Sequence, residues 1–283
     1  MFRRGVALAF LGLMFACGQS SAADSCEGMV TAECLPDETL PTGTDVIVDA
    51  DWLLERIGSD EIQLVDARGS AFNQSRIPGA ISLTPSDVAG TVDGVSGQLV
   101  PAEQAEPTLR EKGLRNGATA IVYGGSPEYN PARIVWALRY YGHGDVRYLD
   151  GGFDAWVAAG GAVDEEAPAV EPTEYVIEDV VESLRVTGDF VLEAIGDEPY
   201  DMPAIQLVDA RSEGEYDAGH IPSARSVNWT RNLDAGFLRT EEELDALYEG
   251  MDRREPAVTY CASGQRGSFA WLTLVALGFD DVA

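Results

Sequence analysis

The chain is poor in cations. Lys112 is its only lysine among 19 Lys and Arg residues, set against 48 Asp and Glu, and the formal net charge is −29. Such a surface has nothing with which to release counterions from a phosphate backbone, so nucleic acid is excluded as a partner. Histidine is scarcer still, with His143 and His220 the whole complement. No His, Cys and Asp cluster has metal-ligand spacing and no glycine-rich nucleotide loop follows a strand, so neither a metal nor a dinucleotide is expected, and no cofactor. The long apolar runs of a multi-span membrane protein are missing too, although 45% apolar residues are too many for a disordered chain. What remains is a chain of 283 residues, long enough for about two domains, under a solvated acidic surface. Any anionic substrate is repelled by that surface as a whole and must be drawn in locally by arginine.

Four cysteines are present, and three lie near the start. The opening "MFRRGVALAFLGLMFACGQSSAADSC" pairs a cationic start at Arg3 and Arg4 with an apolar core from Val6 to Ala16, too short for a permanent membrane anchor. Two cleavage readings compete. "MFAC" is similar to a bacterial lipobox, apart from Phe15, and removal of residues 1–16 leaves Cys17 lipidated and the protein tethered to a membrane. "SAA" at Ser21 to Ala23 suits ordinary signal cleavage, with 1–23 removed. Both export the protein, to a bacterial periplasm or its membrane surface. In that oxidising setting Cys26 and Cys34 are candidates for a disulfide, which leaves Cys261 without an obvious partner.

The sequence also contains itself twice. "IQLVDAR" runs from Ile62 to Arg68 and again, letter for letter, from Ile205 to Arg211. Phe72, Arg76-Ile77-Pro78 align with Tyr216, His220-Ile221-Pro222, and Ala120 to Val146 aligns with Ala257 to Val282, the first loop being one residue longer. The acidic, proline-bearing 162–174 separates the copies, giving an exported amino-terminal segment at 24–44, a first repeat at 45–161 and a second at 175–283. In each copy short apolar runs alternate with helical patterns. Strands are expected at 205–209, 257–260 and 119–123, and helices at 131–141 and 268–277. A further helix follows Thr240, which forms a capping box with Glu243. Such alternation predicts an α/β fold, a mainly parallel sheet with helices on both faces, whose ligands gather at the carboxyl ends of the strands.

Cys261 stands at that end of its strand, in "AVTYCASGQRGS", and a helix begins at once. Successive N–H groups from Ala262, Ser263, Gly264, Gln265 and Arg266 can converge on an anion there, reinforced by the helix dipole, with Gly264 permitting the turn. A thiol in that setting is a nucleophile rather than an inert strand end. The doubled "VDAR", "RIPGA" and "GHIPSA", "YLDGGFDAW" and the C-x-x-G-x-R loop resemble the rhodanese family of sulfurtransferases, in the tandem arrangement of the thiosulfate and mercaptopyruvate enzymes, over roughly 46–283.

That resemblance implies Cys261 as carrier of a persulfide, formed from a small anionic sulfur donor and passed to cyanide or a thiol. It implies Arg211 and Arg266 as donor-binding residues beside the loop's N–H groups. Gly124 replaces the cysteine in the first copy, which is therefore expected to be silent, with Arg68 structural. Mercaptopyruvate enzymes tend to C-G-[ST]-G-V-T, so Gln265-Arg266 points to thiosulfate. His220 and Arg76 are expected to be structural, His143 a surface group at a helix end, and Trp136, Trp156 and Trp271 core.

Two rivals remain. A phosphatase needs C-x5-R, one residue more than is here. A non-catalytic binding module is favoured by the ending: Ala283 aligns opposite Arg147, so the second copy stops before a counterpart of "YLDGGFDAW", and a fragment is the expected reason.

Overall fold

Alternation of short strands and helices is what the chain adopts in a computed structural model, which describes residues 43–166, 169–195 and 205–283. The export segment and the expectations for Cys17, Cys26 and Cys34 fall outside the described residues. Both repeats lie within one compact unit. In the first, β1 (Ile47–Val48), α1 (Ala50–Leu54), β2 (Ile62–Asp66), β3 (Ile81–Ser82) and α2 (Pro85–Val88) lead into a hairpin, β4 (Ala89–Val92) and β5 (Val95–Leu99). Then come α3 (Ala102–Glu111), β6 (Thr119–Tyr123), α4 (Asn130–Tyr140), β7 (Val146–Leu149) and α5 (Gly152–Ala158). After α6 (Gly188–Ile195), the second repeat has β8 (Gln206–Asp209), α7 (Glu213–Ala218), β9 (Arg225–Ser226) and the hairpin β10 (Leu233–Asp234) and β11 (Phe237–Leu238). It closes with α8 (Glu241–Leu247), β12 (Ala257–Tyr260) and α9 (Gln265–Ala276).

The first sheet is wholly parallel, in the order β1-β7-β6-β2-β3, and the second repeats its centre as β12-β8-β9. The registers coincide residue for residue. Gln63 faces Ala120 as Gln206 faces Ala257, and Val65 faces Ile81 as Val208 faces Arg225. Ala120 also faces Val146, and a parallel bridge joins Ala257 to Val282, with the Ala283 N–H donating to the Ala257 carbonyl at 2.9 Å. The counterpart of β7 thus begins at the last described residues. Because a one-residue slip would turn every side chain to the wrong face, coincident registers carry the duplication from sequence into hydrogen bonding.

Both faces of the first sheet are buried, which accounts for its near-continuous apolar strands. Ala120 and Val122 pack towards Ala105 and Leu109 of α3 and Ala132 of α4, whereas Ile121 and Tyr123 pack towards Leu53 of α1 and Trp156 of α5. Trp136, Trp156 and Trp271 are core as expected, and each indole N–H donates to a carbonyl, of Leu184, Ala162 and Val282. Thr240 and Glu243 make the expected capping box on α8. Arg76 is fully buried, donating to the carbonyls of Phe72 and Glu166.

His143 differs from expectation. It is 3% exposed, its Nε2 donating to the Ala118 carbonyl at 2.9 Å and its Nδ1 accepting from the Tyr175 hydroxyl at 3.3 Å. The reason is Tyr175, which directly follows the 162–174 linker, reaches back and covers the end of α4. The linker and the residues after it lie along the first repeat, with Thr173 N–H on the Arg110 carbonyl and Val181 N–H on the Tyr140 carbonyl.

The repeats meet with α4 against α9, and each repeat's hairpin covers the other's loop. The Ser126 hydroxyl, in the loop after β6, donates to the Gly236 carbonyl between β10 and β11 at 3.0 Å, and the Leu238 N–H donates to Asp150 at 2.9 Å. Reciprocally, Gly97 of β5 lies against Ser263 in the loop after β12, where a Cβ on Gly97 would come within 3.1 Å of the serine side chain.

Candidate active site

Cys261 is a free, half-buried thiol at the carboxyl end of β12. The turn Cys261–Gly264 reverses the chain through Gly264, whose φ of +80° suits glycine, and α9 starts at the next residue. The N–H groups of Ala262, Ser263 and Gly264 donate to no described residue, which leaves them to an anion at the positive end of a 12-residue helix. Gln265 and Arg266 form the first turn of that helix. The structure thus groups the thiol with Ala262, Ser263 and Gly264, while Gln265 and Arg266 belong to the helix and do not line the cavity onto which the thiol opens.

The two arginines are held differently. Arg266 forms a fork on Glu215, Nη1 to Oε2 at 2.7 Å and Nη2 to Oε1 at 2.9 Å. Glu215 also completes the capping box of α7 with Ser212. The hydrogen bonds from Arg266 and then Ser212 hold the Glu215 carboxyl well below the usual range, and those to Glu215 raise Arg266 in turn. Arg211 is clamped to Asp209, Nη2 to Oδ2 at 2.6 Å, donates to the Gly219 carbonyl at 2.8 Å and lies 5.7 Å from the centre of the Tyr260 ring. Arg68 does the same in the first repeat, with Asp66, the Ser75 carbonyl and Tyr123. One lattice therefore forms with and without a neighbouring thiol. His220 stacks on Tyr216, ring centres 3.6 Å apart, and serves the same corner.

The first repeat's loop has been filled from within. The Gly125 N–H donates to the Glu128 carboxylate at 3.0 Å, so an acidic side chain sits where the second repeat offers an anion cradle. A Cβ on Gly124 would lie 2.9 Å from the Pro131 ring and 3.0 Å from Glu128 Oε2.

Cys261, Ala262, Ser263 and Gly264 open onto a cavity of about 260 Å³ whose opposite wall comes from the first repeat. Arg133 and Trp136 of α4 and Gln98 and Leu99 of β5 line it there, joined by Arg185 from the stretch that follows the linker. Sequence reasoning missed Arg133 and Arg185. The available signal was an arginine amid the buried run Ala132, Ile134 and Val135 of α4, where a charge has no ordinary reason to be. Neither Arg211 nor Arg266 is among the lining residues. Among the described residues no group of His, Cys, Asp and Glu is arranged to hold a metal ion.

The chain matches the rhodanese-like domain family twice, over residues 49–159 and 191–283. A putative thiosulfate sulfurtransferase of Saccharopolyspora erythraea is 32% identical over 251 residues, 81% of this chain and 86% of the relative. One from Haloferax volcanii is 29% identical over 264 residues, 84% and 90% of the two chains. The crystal structure of a 3-mercaptopyruvate sulfotransferase from Escherichia coli superposes with a TM-score of 0.75 at 28% identity, over 84% of this chain and 97% of that one. An ergothioneine biosynthesis enzyme from Chlorobium limicola, 21% identical with a TM-score of 0.70 over 84% of this chain and 66% of its own, shares the fold.

Proposed function

This chain belongs to the rhodanese-like family and is a sulfurtransferase of its tandem-domain type, and from that premise we propose that it takes sulfur from thiosulfate and carries it as a persulfide on Cys261. The observation that carries the reading is the free thiol beside three uncommitted N–H groups at a helix start, open to a cavity. The Cys261 thiolate attacks the outer sulfur of thiosulfate. A bond forms between the two sulfurs, the outer sulfur's bond to the sulfonate sulfur breaks, and its electron pair leaves with sulfite. The persulfide then carries one negative charge, which the N–H groups of Ala262, Ser263 and Gly264 meet in place without reorganisation. Cyanide, or an acceptor thiolate, attacks the outer persulfide sulfur and expels the Cys261 thiolate, closing the cycle.

The loop Cys261-Ala-Ser-Gly-Gln-Arg266 and the names of the relatives support thiosulfate as donor. A second reading, 3-mercaptopyruvate, is favoured by the Escherichia coli structure. The ratio of kcat/KM for the two donors, with cyanide as acceptor and thiocyanate as the measured product, separates them. Thiosulfate is expected to exceed mercaptopyruvate. The reverse ratio overturns the donor assignment, and no turnover of either by folded protein leaves a non-catalytic module. Export, a lipidated Cys17 and a Cys26–Cys34 disulfide complete the proposal, supported by the cationic start, the apolar core and "MFAC". Labelling with a fatty acid, lost in Cys17→Ser, tests the tether.

A further inference from the structure

In a chain with 48 acidic residues, no Asp or Glu side chain among the described residues lines the Cys261 cavity, whereas Arg133 and Arg185 do. Arg133 is 4% exposed. Its Nη2 donates to the Gly97 carbonyl at 3.0 Å, and its guanidinium lies 4.5 Å over the Trp136 ring. Its Nη1 faces the turn of the cysteine loop so closely that a Cβ on Gly264 would be 2.8 Å away. Arg68, Arg211 and Arg266 each have a carboxylate partner, but Arg133 forms no ion pair among the described residues. Burial pushes it down to about 10, against an upward pull from the Cys261 sulfur, so it is a cation at neutral pH.

A buried cation facing the positive start of a helix is an unfavourable pairing unless an anion sits between them. The thiolate is one such anion, and the cavity has room for a second. We infer that Arg133, contributed by the silent repeat, is the donor-binding residue of the active repeat, its planar guanidinium holding the sulfonate oxygens of thiosulfate while Cys261 attacks the outer sulfur. This rests on the thiosulfate reading above. Sulfite departs from the Arg133 fork, and the persulfide charge stays with the loop. Arg185, exposed and donating to Gln98 at 2.9 Å, marks the cavity's rim and draws the dianion past an acidic surface. The first repeat, unable to hold a thiol, is thus half of the binding site.

The two half-reactions separate the claim from the donor reading. Sulfur loading from thiosulfate and unloading to cyanide are measured by stopped flow on wild type, Arg133→Gln and Arg133→Lys, together with inhibition by sulfite. Loading should fall about 10- to 100-fold in the glutamine variant, the loss of a charge-assisted contact, with the sulfite inhibition constant rising in parallel. The lysine variant should recover part of both, because charge is kept and the planar fork is lost. Unloading of protein already carrying sulfur involves no sulfonate and should fall by less than loading does, whereas a general loss of structure would slow both alike. If Arg133→Gln does not fold, Arg133→Lys carries the test, with loading expected several-fold below wild type. Wild-type loading and sulfite inhibition in the folded variants overturn the role of Arg133 alone. No loading of wild type by thiosulfate overturns the donor reading and, with it, this inference.

Discussion

Replacing Gly264 by alanine tests how the cysteine loop is held. Gly264 has φ +80° and precedes α9; Gly278 has φ +77° just beyond the same helix, and a Cβ there meets nothing within 4 Å. An alanine in the left-handed region costs about 1–2 kcal/mol, so Gly264→Ala and Gly278→Ala should lose that much stability alike. For a chain of this size the shift in Tm is about 2–8 °C. They differ in what the methyl group meets. At Gly264 it lies 2.8 Å from Arg133 Nη1, the tip of a flexible side chain, which must move by several tenths of an ångström. The movement is cheap in stability and expensive in function, since a displacement approaching about 1 Å at a reacting site can cost on the order of a hundredfold. Urea or thermal unfolding measures the first effect and sulfur loading from thiosulfate the second. Loading should fall at least about tenfold in Gly264→Ala and stay at the wild-type value in Gly278→Ala. Equal loading in the two variants refutes the close approach of Arg133 to the loop as a functional contact.

Arg68→Met should destabilise the protein by about 3–5 kcal/mol, although its repeat is silent, because Asp66 is left fully buried without its cation; urea unfolding reads the loss. Gly124→Cys should not yield a second persulfide, since Glu128 fills the loop and Pro131 crowds the position, and intact mass after thiosulfate counts the sulfur atoms held. His143 is buried neutral and its folded-state value is lowered by burial, so the unfolded chain takes up a proton first as pH falls below about 6.5. Stability should therefore fall towards pH 5.5 at no more than about 1.4 kcal/mol per unit, and His143→Gln should flatten that slope in urea unfolding. The lowered carboxylates Asp87, Asp145 and Asp209 act at more acid pH, and burial raises Asp150 and Asp281 with the opposite sign, so the difference between wild type and His143→Gln isolates the histidine.

The duplication was legible in sequence down to pairing register, because "IQLVDAR" and the aligned Ala120 and Ala257 strands pair the same positions in both copies. The thiol, its glycine and the helix start were legible for a similar reason, being contiguous. Contacts between the repeats were not. Arg133 stands more than a hundred residues from Cys261, and Gly97 reaches the cysteine loop from a hairpin whose own sequence says nothing of its destination. The clamp of Glu215 on Arg266 is equally remote in sequence, and a motif reading assigns that arginine to the donor without seeing the carboxylate that already holds it. The sequence around His143 reads as surface because the residue that covers it, Tyr175, arrives from beyond the repeat.

The central claim is that Cys261 carries sulfur. Intact mass spectrometry of the protein, before and after thiosulfate and again after cyanide, tests it most directly. The account predicts the gain of one sulfur atom, its removal as thiocyanate, and no gain in Cys261→Ser. Folded protein that takes up no sulfur from thiosulfate or 3-mercaptopyruvate, or a Cys261→Ser variant that still takes it up, would contradict it.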